Sequence, residues 1–258
     1  MAGFVAMEEI RAELEAGIAT DGYYLVKGLL NAGEVGTLKA DSITAIEHEG
    51  DIYGRVDSQY GRIFSCTYYG DNFIKLLEHP QFNEPFRWYL GDYFIVHVYT
   101  TSSVQPDGKS FFGGIHIDNK RFLPQYTEGL GCLVLLDDFT IENGATYLLP
   151  GSHLNPLQPT DEAFYRDSVR LVGKAGDVMY FNPRLWHAAG RNNISEWRHS
   201  LSIGMSRPHI KQYTDIPASL KGVDLSKYSD TVLQRLGVYA QAAPSVEEYY
   251  KGFGRKWN

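Results

Sequence analysis

His116, Asp118, His187 and Arg198 are the residues of this chain whose types and spacing could do chemistry. Two imidazoles and one carboxylate on one face of an octahedral Fe(II) leave three neighbouring positions open, which is what oxygen chemistry requires. Two of those positions suit a chelating 2-oxo acid and the third suits dioxygen. An arginine placed nearby could grip a second carboxylate through two parallel N–H bonds. Zinc is the competing metal, but it favours four-coordinate sites with one open position, and it gives no reason for such an arginine.

The elements that must position these groups can be read from the surrounding residues. In Gly113-Gly114-Ile115-His116-Ile117-Asp118 the two-residue period of a strand puts His116 and Asp118 on one face. Val178 to Phe181 reads as a short buried strand, Asn182-Pro183 as a turn and His187 as the start of the next strand. The polar run Arg191 to Ser195 suggests a reversal. A hairpin centred between Asn192 and Asn193 would set His187 directly opposite Arg198, with Ser200 on the same face. A guanidinium and a hydroxyl would then flank the second histidine. The simpler alternative pairs Arg198 with Glu196 at the surface.

The sequence resembles the phytanoyl-CoA hydroxylase-like family of Fe(II)- and 2-oxoglutarate-dependent oxygenases. Four blocks carry the resemblance: Gly114 to Asp118, Glu142 to His153, Gly176 to His187, and Arg198 at its distance from His187. A weaker match covers Asp21 to Leu30, so that most of residues 10–207 is included. The resemblance implies a metal held by His116, Asp118 and His187, with Arg198 receiving the distal carboxylate of 2-oxoglutarate. It departs from the usual pattern at Ile117 and at Ala188-Ala189; neither departure removes a ligand, so they bear on the surroundings of the ligands and not on the reaction class. The implied reaction decarboxylates 2-oxoglutarate to succinate and carbon dioxide while oxidising an unactivated C–H bond, with hydroxylation as the default outcome. Related halogenases carry a small residue where Asp118 stands, so this carboxylate speaks against halogenation. Desaturation, epoxidation and cyclisation stay open as diversions of the same chemistry. Two other classes also stay open: a metalloenzyme of this fold that does not use 2-oxoglutarate, and a non-catalytic binding protein.

Composition is consistent with a single enzyme domain over residues 1–258. Hydrophobic residues make up 43% of the chain and aromatic ones 14%, enough for a core and a ring-lined pocket. A formal net charge of −7 without a basic block argues against a nucleic-acid partner. Met1 to Ile10 shows no cationic segment followed by an apolar run, and no stretch reaches membrane-spanning length. Cys66 and Cys132 are the two cysteines, which suggests no disulfide framework. The expectation is a cytoplasmic protein, monomeric or homodimeric, acting on a small molecule.

Along the chain, helices are expected at 5–18, from an Asn31 cap to about Gly50, and at 71–90 with a bend at Pro80 and Pro85. A strand at 22–29 lies between the first two. Strands then dominate: 93–101, 112–118, 130–137, 144–149, 177–181, 186–191 and 197–206. This order predicts a mainly β fold with a helical buttress (α+β), its core a double-stranded β-helix or jelly roll over about 93–207. Residues 1–92 would form the buttress, and 215–258 a tail with helical pieces at 229–240 and 245–252.

Other residues carry weaker signals. His97, Tyr99 and Thr101 share a face of strand 93–101 by alternation, so Tyr99 could touch 2-oxoglutarate and His97 and Thr101 the substrate. Arg62, in an apolar block before Phe64, is the cation best placed to meet an acidic substrate, while Lys109, Lys120 and Arg121 read as solvated. His153 follows Pro150-Gly151-Ser152 and reads as a loop corner rather than a ligand. Trp186 reads as core.

Overall fold

The computed structural model describes residues 7–53, 60–106, 108 and 110–251. Positions 5 and 6 of the expected first helix, position 252 of the last, and Lys109 lie outside them.

The first helix, α1 (Met7–Thr20), buries Met7, Leu14 and Ile18 and leads into β1 (Tyr23–Val26). Next comes α2 (Ala32–Tyr53), started by a reciprocal cap. Asn31 Oδ1 accepts from the amides of Gly33 and Glu34, and Glu34 Oε2 accepts from the Asn31 amide, which satisfies the orphan donors of the first turn. The expected helix over 71–90 is two helices, α3 (Asp71–Leu76) and α4 (Pro80–Leu90). The chain breaks before Pro80, where the proline ring disfavours helical backbone in the preceding residue; His79 is extended and its ring accepts from the Phe82 amide.

The remaining strands are β2 (Ile95–Thr101), β3 (Gly129–Leu135), β4 (Tyr147–Leu148), β5 (Val169–Arg170), β6 (Val178–Phe181), β7 (His187–Ala188) and β8 (Ser200–Ser206). Helix α5 (Asp161–Asp167) precedes β5, and both are additions to the expected list. Short helices α6 (Ile216–Ser219), α7 (Asp230–Arg235) and α8 (Val246–Tyr250) form the tail. Two antiparallel sheets result: five strands in the order β1-β6-β3-β8-β2, and three in the order β5-β4-β7. The fold is therefore mixed α+β.

Three apolar clusters define the layers. The largest joins α1, α2, α3 and α4 to the outer face of the five-stranded sheet through Tyr99, Cys132, Val134, Tyr180, Leu201 and Ile203. A second fills the space between the sheets with Leu133, Leu135, Phe139, Leu148, Met179, Phe181 and Leu185. A third, built on Phe164, Trp186 and Ala188, covers the outer face of the small sheet, and Ile115 and Ile117 pack on it. Cys66 and Cys132 are both free and buried. Among the described residues no helix is long and apolar enough to cross a membrane.

Two expectations about register fail. The segment 112–118 is not a strand: a single turn at Phe111–Gly113 is followed by one antiparallel bridge, His116 to His187. The hairpin between His187 and Arg198 does not form. His187 pairs with Leu148 in the small sheet, whereas Arg198 bridges to Val104 beside the large one. Residues 189–197 are thus a crossover between sheets. Asn192 is fully buried on that crossover and donates to the carbonyls of Val104 and Glu196, so the polar run that suggested a reversal instead satisfies backbone groups inside the protein.

Candidate metal centre

Backbone pairing brings the two histidines together. His116 and His187 exchange N–H···O bonds of 3.0 Å in both directions, and their ring centroids lie 4.2 Å apart. Ile115 and Ile117 pack outward on the Trp186 cluster, so His116 and Asp118 turn inward by alternation even without a regular strand. Trp186 and Ala188 do the same for His187. The Asn182-Pro183 turn anchors the third group, because the Pro183 carbonyl accepts from the amides of Asp118 (2.8 Å) and Asn119 (3.0 Å).

Both imidazoles are held in one tautomer. His116 Nδ1 bonds the Gly114 carbonyl at 2.7 Å and His187 Nδ1 bonds that of Leu185 at 2.8 Å. A carbonyl only accepts, so each Nδ1 carries the hydrogen and each Nε2 presents a lone pair. Asp118 Oδ1 lies 3.8 Å from His116 Nε2 and 3.9 Å from His187 Nε2. One donor atom from each residue falls within 4.8 Å of the others. His116 Nε2 is buried with no partner, and burial, then the neighbouring His187, hold this histidine below the ordinary imidazole range. A neutral, orphaned nitrogen beside a carboxylate is the donor set a divalent metal takes. Ligand atoms about 2.1 Å from one ion stand about 3 Å apart when at right angles, so an ion would draw these three slightly inward.

Beyond the triad, the cavity is lined by Ser102, Leu133, Thr146, Met179, Phe181 and Ser202, and it measures about 40 Å³. That is near the share of roughly one water, about 30 Å³, so a five-carbon diacid needs flexible side chains such as Met179 to turn aside.

Arg198 and Ser200 stand behind this cavity. Alternation along the strand puts Arg198, Ser200 and Ser202 on one face, and Ser102 joins them to the cavity. Its carbonyl accepts from Ser200 Oγ at 2.7 Å and from Arg198 Nη2 at 3.4 Å. Arg198 is fully buried, donates to the Gly144 carbonyl and lies 4.1 Å over the Phe139 ring. Gly144 holds φ +82°, and a Cβ there would stand 2.6 Å from the Gly190 carbonyl, which accounts for glycine in that block. No carboxylate among the described residues pairs with Arg198, its Nε has no partner, and burial pushes its pKa down to about 9. Such a buried, uncompensated cation calls for an anion.

The alternation expected for His97, Tyr99 and Thr101 is broken by a β-bulge between Val96 and Val98, which resets the faces of the strand. Tyr99 therefore points to the helices, 5.9 Å from the Phe73 ring, and not into the metal cavity. Thr101 ties down the preceding segment, donating to the Gly61 carbonyl and accepting from the Ile63 amide. Neither is placed for the ligand role expected of it. His97 stays on the cavity side beside Asp118, with Nδ1 unpartnered. Arg62 stacks on Phe111 at 3.9 Å and lies 5.6 Å from Phe112, whose ring in turn stacks on His116 at 6.0 Å. His153 is buried on a short turn apart from the triad, as its Pro-Gly-Ser context implied. Ser102, Thr146 and Ser202 were missed, although the two-residue period that gave Ser200 from Arg198 also gives Ser202.

Comparison with known proteins agrees with this geometry. Residues 18–200 match the phytanoyl-CoA dioxygenase (PhyH) family, and the chain belongs to it. The uncharacterized protein Rv1501 of Mycobacterium tuberculosis (strain ATCC 25618 / H37Rv) is 28% identical over 188 residues, 71% of this chain and 69% of that protein. The epimerase SnoN, solved with Fe3+, alpha ketoglutarate and nogalamycin RO, is similar in structure with a TM-score of 0.66 at 24% identity, covering 86% of this chain and 94% of SnoN. SnoK, a non-heme alpha ketoglutarate dependent carbocyclase from nogalamycin biosynthesis, gives a TM-score of 0.67 at 20% identity, covering 80% and 88%.

Proposed function

We propose that the protein is an Fe(II)- and 2-oxoglutarate-dependent dioxygenase that hydroxylates an unactivated C–H bond of a small molecule, releasing succinate and carbon dioxide. The observation that carries it is the convergence of two Nε2 lone pairs and the Asp118 carboxylate within reach of one ion. The two sheets would be the halves of a double-stranded β-helix, and residues 1–258 one oxygenase domain.

In this reading His116, Asp118 and His187 hold the iron, which supplies oxygen activation and oxidative decarboxylation of the 2-oxo acid when bound. The carbonyls of Gly114 and Leu185 keep both Nε2 atoms aimed at the ion. Arg198 takes the C5 carboxylate of 2-oxoglutarate in a bidentate grip, and Ser200 and Ser202 offer hydroxyls on the same face. Leu133, Met179 and Phe181 exclude water from the cosubstrate. The substrate lies on the Asp118 side, where His97 offers a hydrogen bond, and Arg62, by the Phe112 ring that stacks on His116, contributes a positive charge. Its placement decides whether hydroxylation or a diversion follows. Proteins of similar fold include an epimerase and a carbocyclase, which supports counting such diversions among the outcomes.

Anaerobic addition of Fe(II) and then 2-oxoglutarate to the protein tests this. A visible metal-to-ligand charge-transfer band, and succinate formed once oxygen is admitted, are expected. With metal loading confirmed, absence of the band would contradict the proposal.

A further inference from the structure

One further cavity adjoins the metal centre, and a second adjoins the first. The nearer, about 240 Å³, is lined by Asp118, His97, Lys120 and Ser206 over a floor of Gly129, Gly131 and Gly204. Its buried donors are unused: neither His97 Nδ1 nor Ser206 Oγ has a partner, and Ser206 is 3% exposed. Buried polar groups of this kind await a partner. Glycine at 131 lets an aromatic ring close the floor on the metal side: a Cβ there would stand 2.5 Å from the Phe181 ring, which itself makes edge contact with His187.

The farther cavity, about 420 Å³, lies between the end of α1 at Ile18 and Ala19, the Tyr89 ring, and the segment 121–129. Asn119, Arg121, Glu128, Gly129 and Pro183 line both cavities, so the two are neighbouring chambers. Glu128 is neutralised where they meet, paired with Arg121 at 2.7 Å and accepting from Asn119 at 3.1 Å. In the far chamber Tyr89, Phe122 and Tyr126 offer aromatic faces. Arg184 is 7% exposed, stacks on Phe122 at 4.8 Å, has no carboxylate partner among the described residues and keeps an unpartnered Nε. Aromatic walls with a lone buried cation favour a flat ring system carrying oxygen acceptors and disfavour a cationic group.

We infer that the substrate is an extended, oxygenated multi-ring molecule, its reacting end beside Asp118 in the near chamber and its distal rings in the far one. This rests on the oxygenase reading and adds a substrate class to it. The far chamber, about 420 Å³, by itself falls in the range of about 300–1,000 Å³ that holds drug-sized ligands, and the near one adds about 240 Å³, more than an amino acid or a short acid would fill. Arg121 and Glu128, at the boundary, would decide which substituents pass.

The test uses flavanone as a three-ring probe and acetophenone as a one-ring probe, titrated anaerobically into protein loaded with Fe(II) and 2-oxoglutarate and read by intrinsic fluorescence. Flavanone should bind at least about tenfold more tightly, from the added apolar area it buries. Ala19→Trp and Gln125→Trp, which fill the far chamber from exposed positions, should each erase that advantage while leaving acetophenone binding unchanged. Flavanone binding no tighter than acetophenone, or an advantage that survives both variants, would overturn the inference. Failure of the oxygenase reading is separable, because it shows as a missing charge-transfer band before any probe is added.

Discussion

At the metal end of the inter-sheet space, His116 and His187 are held by one pair of backbone bonds, and Asp118 by a turn with its side chain 42% exposed. At the other end, Arg198 is fully buried at the foot of β8, a strand paired on both sides. The first end can adjust. Its donor atoms stand slightly too far apart, and a metal can gather them by small rotations. The second end has its charge in place before any ligand arrives, a desolvated guanidinium held by the Gly144 and Ser102 carbonyls. The difference suggests a division of labour: the protein stores electrostatic strain at the arginine and leaves geometric slack at the metal.

The largest effect that would break this division is on the metal side. His187→Ala removes one of three donors and should weaken Fe(II) binding by more than about 10²-fold, beyond the loss typical of a supporting residue; an anaerobic metal titration checks it. On the arginine side, Arg198→Met should not lower the melting temperature of the ligand-free protein, because an uncompensated buried charge is removed. Wild type at 2-oxoglutarate one hundred times its Kd should gain about 2.7 kcal/mol of stability, and the variant at the same concentration less than about 1 kcal/mol. Thermal melts with and without the diacid separate the two.

A smaller effect sharpens the contrast from behind Arg198. Burial, with Lys39 and Arg198 adding to it against the opposing Asp137, lowers the His199 pKa to about 4. The unfolded chain binds this proton below about 6.5 while the folded protein does not, so stability must fall as pH drops from about 6.5 toward about 4. The contribution is at most about 1.4 kcal/mol per pH unit. Denaturant melts of His199→Gln should show that slope removed. The smallest effect concerns Tyr99, whose hydroxyl is buried without a partner on the helical side of the sheet. Tyr99→Phe should change stability by no more than about 0.5 kcal/mol or raise it, and 2-oxoglutarate affinity should not move.

The triad was legible in sequence because alternation acts locally: Ile115 and Ile117 pack outward whether or not a strand forms, and His116 and Asp118 follow. Asn31 was legible as a cap for the same reason, since its partners lie two and three residues on. What could not be read depends on distant partners. The pairing of His187 with His116 and of Arg198 with Val104 rests on contacts across the fold, so the supposed hairpin gave the right neighbours of the cavity by the wrong path. The bulge at Val96/Val98 left no mark in composition, yet it sent Tyr99 to the opposite face. The chambers under 121–129 were equally hidden, because Ala19, Tyr89 and Arg184 meet only in space.

The most direct measurement of the central claim is a paired anaerobic titration of wild type and Arg198→Ala, first with Fe(II) and then with 2-oxoglutarate, followed through the charge-transfer band. The account predicts unchanged iron affinity and 2-oxoglutarate binding weakened by about 2–5 kcal/mol, the cost of truncating one partner of a buried charge pair. Equal loss of both ligands, or of neither, would contradict it.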